Sequence, residues 1–217
     1  MASSGMRSTT GRLVMALLAV GSALVMAQAP QGGAPPGGGG GGRPGGGGGG
    51  GRGGAPPLLM TTTAFEDGGV IPNKYTQADP MAVSPALSFS QVPMGTQTFV
   101  LLMHDPEPVL NRSPKMDITH WLVWNIPGTS MGLPENLPQG ELPDGTRQVS
   151  LRANAYMGPG AGPGPYHHYT FELYALDTKL DVPMGTSKEA ADTRTAVFNA
   201  MEGHVLGKAV LVGRFHR

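Results

Sequence analysis

The chain has 217 residues, no cysteine, and 15 Lys and Arg against 15 Asp and Glu, so its formal net charge is zero. The lack of cysteine excludes disulfides, thiolate metal sites, a cysteine nucleophile and a lipidated cysteine. A neutral chain without a basic stripe argues against a nucleic-acid partner.

Residues 1–29 have the pattern of a secretory signal peptide. Arg7 and Arg12 precede the apolar run LVMALLAVGSALVM at 13–26, and small residues follow it. The run is too short to span a bilayer comfortably. We expect cleavage after Ala27 or Ala29, giving a periplasmic or secreted protein without a stable membrane span. The alternative is an uncleaved anchor.

Residues 30–57 are rich in Gly and Pro and carry no apolar side chain larger than Ala or Pro. Such a segment buries too little surface to offset its chain entropy. It is predicted to be a disordered linker spanning roughly 30 Å on average. Residues 58–217 are then long enough for one domain with a sizeable core.

Short β-branched or aromatic stretches bounded by Gly, Pro or Asp dominate this domain and predict a mainly β fold. The stronger strand predictions are 97–103, 121–126, 147–151, 169–176 and 209–215, and the weaker ones are 59–65 and 86–90. One helix is predicted over 186–201, because Thr186 and Glu189 form a capping box and Gly203 supplies a stop.

A titratable residue continues an apolar row on three of the predicted strands. Alternate side chains of a strand point to one face. By this count Asp105 follows the row of the first strand, while His120 and His167 precede the rows of the second and third. The row assigned to the second strand is Leu122, Trp124 and Ile126.

Antiparallel pairing of the first two strands would place Asp105 and His120 at one end of the sheet. His167 and Tyr169 join them if their strand runs parallel to that of His120. The small residues of 158–164 would then form a backbone rim that a ligand, or another backbone, approaches closely. The predicted ligand-binding set is Asp105, His120, His167, Tyr169, Gly158 and Gly160.

This set suits a small ligand with a phosphate or carboxylate group. Imidazoles and a phenol donate hydrogen bonds to an oxyanion, and Gly-rich backbone offers a nest of N–H groups. Asp105 could orient one histidine or face an ammonium group. Imidazolium would favour anions, so we expect tighter binding at about pH 6 than at pH 8.

Simpler interpretations stay open. His120 and His167 could be satisfied histidines at the core edge, and Asp105 before proline could only start a turn. His104, His168 and Glu107 are expected to be structural or solvated. Without an H-E-x-x-H motif, a helical His pair or G-x-S-x-G, we expect no metal, no cofactor and no catalytic residue.

Five stretches, in order, carry a family likeness: AFEDGGVIPNKYT (64–76), SPALSFSQVPMGTQTFVLLMHDPEP (84–108), THWLVWNIPG (119–128), NAYMGPGAGPGPYHHYTFELYALD (154–177) and MEGHVLGKAVLVGRF (201–215). In them the chain resembles the phosphatidylethanolamine-binding protein family, in particular its bacterial Raf-kinase-inhibitor-like branch. The resemblance implies a large antiparallel or mixed sheet, a smaller flanking sheet, one or two short helices and an anion pocket.

The resemblance assigns roles to the same residues as strand counting. Its D-P-D-x-P Asp is Asp105, the His before its Trp strand is His120, its H-R-Y motif gives His167 and Tyr169, and its glycine loop is Gly158–Gly160. Glu107 stands for the second acid of that first motif, and His168 replaces the arginine of H-R-Y. The chain also stops just after its last strand, which favours headgroup-sized ligands over whole lipids.

Three functions follow as hypotheses. The first is an exported, non-catalytic protein that binds a phosphate- or carboxylate-bearing molecule or headgroup in this pocket. The second is a regulator of the kinase- or protease-inhibitor type, which would meet an envelope protein through the surface around the pocket. The third is a phosphoester hydrolase with an Asp/His pair.

Overall fold

The computed structural model describes residues 57–108 and 117–217. The predicted signal peptide and all but the last residue of the predicted linker lie outside this part of the chain. Within it, no helix combines the length and apolarity needed to pass through a membrane.

A five-stranded antiparallel sheet forms the centre of the domain. Its strand order is β6-β4-β3-β7-β8. The strands are β3 (Thr98–Asp105), β4 (Ile118–Pro127), β6 (Arg147–Val149), β7 (His167–Leu176) and β8 (Val205–Phe215). All five were predicted from the sequence. β3, β4, β7 and β8 extend beyond their predicted ends, and β6 is two residues shorter than predicted.

A smaller antiparallel sheet flanks the first. It consists of β1 (Leu59–Thr61), β2 (Leu87–Ser90) and β5 (Gly132–Leu133), in the order β1-β2-β5. The strand predicted over 59–65 ends at Thr61. The two-residue β5 was missed because it is too short to show an alternating pattern. The expected mainly β architecture of two sheets with few helices is confirmed.

The predicted capping box begins the long helix. Glu189 Oε2 accepts hydrogen bonds from the backbone N–H of Thr186 at 2.9 Å and from its hydroxyl at 2.8 Å. A single 3-10 turn (Ser187–Glu189) leads into α1 (Ala190–Met201). The helix ends shortly before Gly203, which has a left-handed backbone conformation with φ 82°. The helix prediction over 186–201 is confirmed.

The large sheet carries a core on each face. One face packs against the small sheet through residues that include Phe99, Trp121 and Phe171. The opposite face packs against α1 through residues that include Leu102, Leu122 and Val197. Because β3 and β4 are covered on both sides, their side chains are buried almost without interruption.

Strand β4 contains two irregularities that break its alternation. Relative to β3, one extra residue lies between Ile126 and Val123, and another between Trp121 and Thr119. Asn125 occupies the first with φ 58°, and His120 is the extra residue of the second. A β-bulge of this kind re-aims side chains.

Because of these bulges, the apolar row that was predicted for β4 is wrong. Leu122 and Trp124 face α1, but Ile126 faces the small sheet, so these three residues do not share a face. His120 lies beside Trp121 on the small-sheet side, because the bulge moves it there. Counting alternate residues along β4 therefore selected His120 on the assumption of regular alternation, which the bulges break.

Asn125 is expected to stabilise the first bulge. Its amide donates to the carbonyl oxygen of Leu180 and accepts the N–H of Leu180, both at 2.9 Å, in a buried position. Asn125→Ala should lower the free energy of unfolding by about 2–4 kcal/mol, because two buried groups lose partners and Ala resists a left-handed backbone. Urea denaturation measures the loss.

Asn125→Gly is the matched control for backbone strain. It loses the same hydrogen bonds but adopts positive φ freely, so it should be about 1 kcal/mol less destabilised than Asn125→Ala. Equal losses in both variants would show that the left-handed conformation of Asn125 contributes nothing.

Candidate functional site

A cavity of about 420 Å³ opens at one end of the large sheet. Strands β4 and β7 both run antiparallel to β3, so they share a direction, and the condition for His167 to join Asp105 and His120 is met. The cavity is lined by Asp105, His120, His167, Tyr169 and Gly160 from the predicted set.

Asp105 and His167 form a hydrogen-bonded dyad in the cavity. Asp105 is 2% exposed, and its Oδ2 lies 2.7 Å from Nδ1 of His167. Its Oδ1 accepts the N–H of Glu107 at 3.1 Å. Burial raises the pKa of Asp105 above its ordinary value, while the hydrogen bond from His167 opposes this rise. Asp105 therefore orients His167, with Nδ1–H donating to the carboxylate.

His120 is neutral and presents a hydrogen-bond acceptor. Its Nδ1–H donates to the carbonyl oxygens of Met157 at 2.9 Å and Gly158 at 3.1 Å. Burial lowers the pKa of His120 to about 4. Near neutral pH, Nε2 is then unprotonated, and no group of the described residues bonds to it. The expectation of a charged imidazolium is wrong for His120.

Tyr169 occupies the expected backbone nest. Its hydroxyl oxygen accepts the N–H groups of Gly160 and Ala161, both at 3.1 Å, and its ring lies edge-on to His120 with centroids 5.0 Å apart. Burial raises the pKa of Tyr169 to about 12. The two N–H groups thus donate to the phenol oxygen and are not free to bind a ligand. The phenol keeps its proton and can donate it in a hydrogen bond.

Gly158 supports the site without lining the cavity. A Cβ atom here would stand 2.7 Å from the carbonyl oxygen of Tyr75, so the close neighbour is another backbone. Its carbonyl oxygen also accepts Nε2–H of Gln77 at 2.7 Å. Gly158 therefore holds the loop 157–161 against Gln77 and orients His120.

A second carboxylate–histidine pair lies beside the first. Glu107 Oε1 is 2.6 Å from Nδ1 of His168, and both carboxylate oxygens accept the backbone N–H of His168. Burial opposes ionisation of Glu107, but the hydrogen bonds from His168 hold its pKa below the ordinary value. These two residues were expected to be structural or solvated, and they are exposed side chains that bond to each other.

Asp105, Glu107 and His167 form the one group in the described residues whose donor atoms could converge on a metal ion. These atoms lie within 4.8 Å of one another. Each residue already has a partner: Asp105 and His167 bond together, and Glu107 bonds to His168. His104 lies on the opposite sheet face, 2.6 Å from Asp117, as its position in the strand predicts.

Comparison with known proteins identifies the family. The family model described as phosphatidylethanolamine-binding protein matches residues 61–216. A UPF0098 protein of Methanothermobacter thermautotrophicus is 44% identical over 157 residues, which cover 71% of this chain and 95% of the relative. The chain belongs to the phosphatidylethanolamine-binding protein family.

Other relatives and solved structures agree. A UPF0098 protein of Aquifex aeolicus is 32% identical over 160 residues, covering 71% of this chain and 85% of that protein. The homologue CT736 of Chlamydia trachomatis superposes with a TM-score of 0.61 at 30% identity, over 74% of this chain and 98% of that chain. Escherichia coli YbcL has the same fold, with a TM-score of 0.59 at 23% identity over 74% and 98%.

Several lining residues of this family member escaped sequence reasoning. They follow no local pattern, because they come from loops and from the start of β4. The most polar are Arg152, after β6, and Gln77, after a 3-10 turn (Asn73–Tyr75). The apolar ones are Pro108, Ile118, Leu151 and Met157, while Ala161 belongs to the rim predicted over 158–164.

The neutral state of His120 predicts a loss of stability in acid. The unfolded state takes up a proton near pH 6.5 but the native state only near pH 4, so stability present above pH 6.5 is lost as the pH falls towards 4. His120→Asn keeps a donor close to Nδ1 and removes the titration. Between pH 7 and pH 4 the wild type should lose about 3 kcal/mol more than this variant.

Urea denaturation at a series of pH values measures this difference. The carboxylates titrate in both proteins, so their contribution cancels in the comparison. Parallel pH profiles for wild type and His120→Asn would mean that His120 is protonated in the native state near pH 6.5.

Proposed function

We propose that this chain is an exported, non-catalytic binding protein that holds a phosphate monoester group in the cavity at the end of the large sheet. The observation that carries this proposal is the neutral His120, whose Nε2 is an acceptor without a partner among the described residues, in a cavity that the donor hydroxyl of Tyr169 also lines. A chemical group on the ligand that donates a hydrogen bond to His120 and accepts one from Tyr169 suits this pair.

A singly protonated phosphate group meets that requirement. Its P–OH can donate to Nε2 of His120, and its other oxygens can accept from Tyr169. Sulfate and carboxylate groups near neutral pH have no such proton and would leave the acceptor unpaired. A buried group without a partner costs about 1–3 kcal/mol. Phosphate is therefore favoured over the carboxylate alternative.

Binding without turnover is proposed because the polar groups are already engaged. Asp105 bonds to His167 and to the N–H of Glu107, so its oxygens are poorly placed to attack a phosphorus atom. Among the described residues that line the cavity there is no Ser, Thr, Cys or Lys. A small ligand fits the cavity volume, which lies within the usual range for such sites.

Calorimetric titration with phosphoethanolamine and with its sulfate ester analogue tests the proposal. Both ligands carry the same ammonium group, but only the phosphate ester carries a second ionisable proton, with a pKa of about 6. Phosphoethanolamine should bind at least tenfold more tightly at pH 5.5 than at pH 8, and at least tenfold more tightly than the sulfate ester at pH 5.5.

His120→Phe should remove this selectivity, because the ring keeps its shape and loses its acceptor. His204→Phe is the matched control, since His204 pairs with Asp177 on the surface, away from the lining residues. Equal affinity for both esters, or unchanged selectivity in His120→Phe, would contradict the proposal.

Export is proposed from the N-terminal pattern of basic residues, short apolar run and small residues. Fractionation of cells that express the full chain, followed by N-terminal sequencing of the product, tests it. The mature chain should be found outside the cytoplasm and should begin at Gln28 or Pro30. An intact N-terminus in the membrane fraction would instead indicate an anchor.

A further inference from the structure

The cavity lacks an obvious source of positive charge for an anionic ligand. Asp105 brings a carboxylate, and Glu107 lies close to it. His120 is neutral, so it cannot compensate for them. The arginine of the family's H-R-Y motif is replaced by His168, which is committed to Glu107. An anion therefore needs a cation from another part of the chain.

Arg152 is placed to be that cation. It is the single Lys or Arg among the described residues that line the cavity. It lies in the exposed loop after β6, and the ion pairs of the described residues do not include it. Burial is the main cause of the lowered pKa of His120, and the positive charge of Arg152 adds to it.

An apolar wall lies next to Arg152. Leu151 lines the cavity and is 41% exposed. Ile118, at the start of β4, and Pro108, after β3, complete this wall. His167 and Tyr169 contribute polar surface to the same lining. A ligand that fills the cavity thus meets both polar and apolar surface.

We propose that Arg152 pairs with the phosphoryl group of the ligand, and that the ligand is a phosphate monoester whose apolar substituent lies against Leu151 and Ile118. This proposal rests on the proposed function and names its ligand class. A guanidinium binds two phosphate oxygens at once through its parallel N–H groups, while Tyr169 and His120 contact the remaining oxygens.

Titration with phenyl phosphate and inorganic phosphate tests both parts. Arg152→Gln should weaken both ligands at least tenfold, and Arg152→Lys should recover part of the loss because Lys offers a charge without the planar fork. Leu151→Ser should weaken phenyl phosphate at least threefold and leave inorganic phosphate unchanged. Lys188→Gln, an exposed change in the 3-10 turn before α1, controls for the loss of one positive charge.

The outcomes are distinguishable. If the wild type binds neither phosphate, both the proposed function and this inference fail. If the wild type binds and Arg152→Gln binds equally well, the inference is overturned and the proposed function stands. If Leu151→Ser weakens both ligands equally, the apolar substituent is overturned. Melting temperatures within 2 °C or so of wild type for these surface variants show that folding is intact.

Vesicles that contain phosphatidate separate two sources of the same chemistry, because this lipid displays a phosphate monoester. Co-sedimentation that phenyl phosphate competes away assigns a lipid ligand to Arg152 and Leu151. Binding of phenyl phosphate without co-sedimentation assigns a soluble ester. Co-sedimentation that survives in Arg152→Gln and resists phenyl phosphate would overturn the role of Arg152 towards lipid.

Discussion

The pocket depends on the hydrogen bonds from Nδ1 of His120 to the carbonyl oxygens of Met157 and Gly158. They join a bulge in β4 to the loop before β7, two segments that are far apart in sequence. Because Nδ1 donates, Nε2 is the free nitrogen, and burial keeps the ring uncharged. The same contact holds the loop in place, so that its next N–H groups reach the hydroxyl of Tyr169. One interaction thus fixes a donor and an acceptor side by side.

Around this contact, the carboxylates of the site form hydrogen bonds with neighbouring histidines. Asp105 bonds to His167, and Glu107 bonds to His168, so each carboxylate has a histidine partner. The first pair limits the cost of burying the carboxylate of Asp105 next to a cavity. The pairing also means that ligand selectivity comes from the few polar groups left over. They include Nε2 of His120, the hydroxyl of Tyr169 and the guanidinium of Arg152.

The sequence allowed the strands and the helix to be predicted because their signals are local. The capping box at Thr186 and the alternation in β3 and β7 both survive in the structure, and alternation correctly places Asp105 and His167 at one end of the sheet. His120 was selected on the assumption that β4 alternates regularly. One extra residue in a bulge moves the side chains that follow it to the other face of the sheet, so this assumption does not hold. The charge state of His120 and the hydrogen bonds to the Tyr169 hydroxyl depend on contacts with residues 157–161. Arg152 reaches the cavity from a loop. None of these features follows from the alternation of residues along a strand.

Nitrogen NMR of the imidazole of His120 reports which ring nitrogen carries the proton and at what pH the second proton is gained. The ring should be neutral, with the proton on Nδ1, from pH 8 down to pH 5, and its titration midpoint should lie at about 4. A proton on Nε2, or a midpoint at the ordinary value near 6.5, would contradict this expectation.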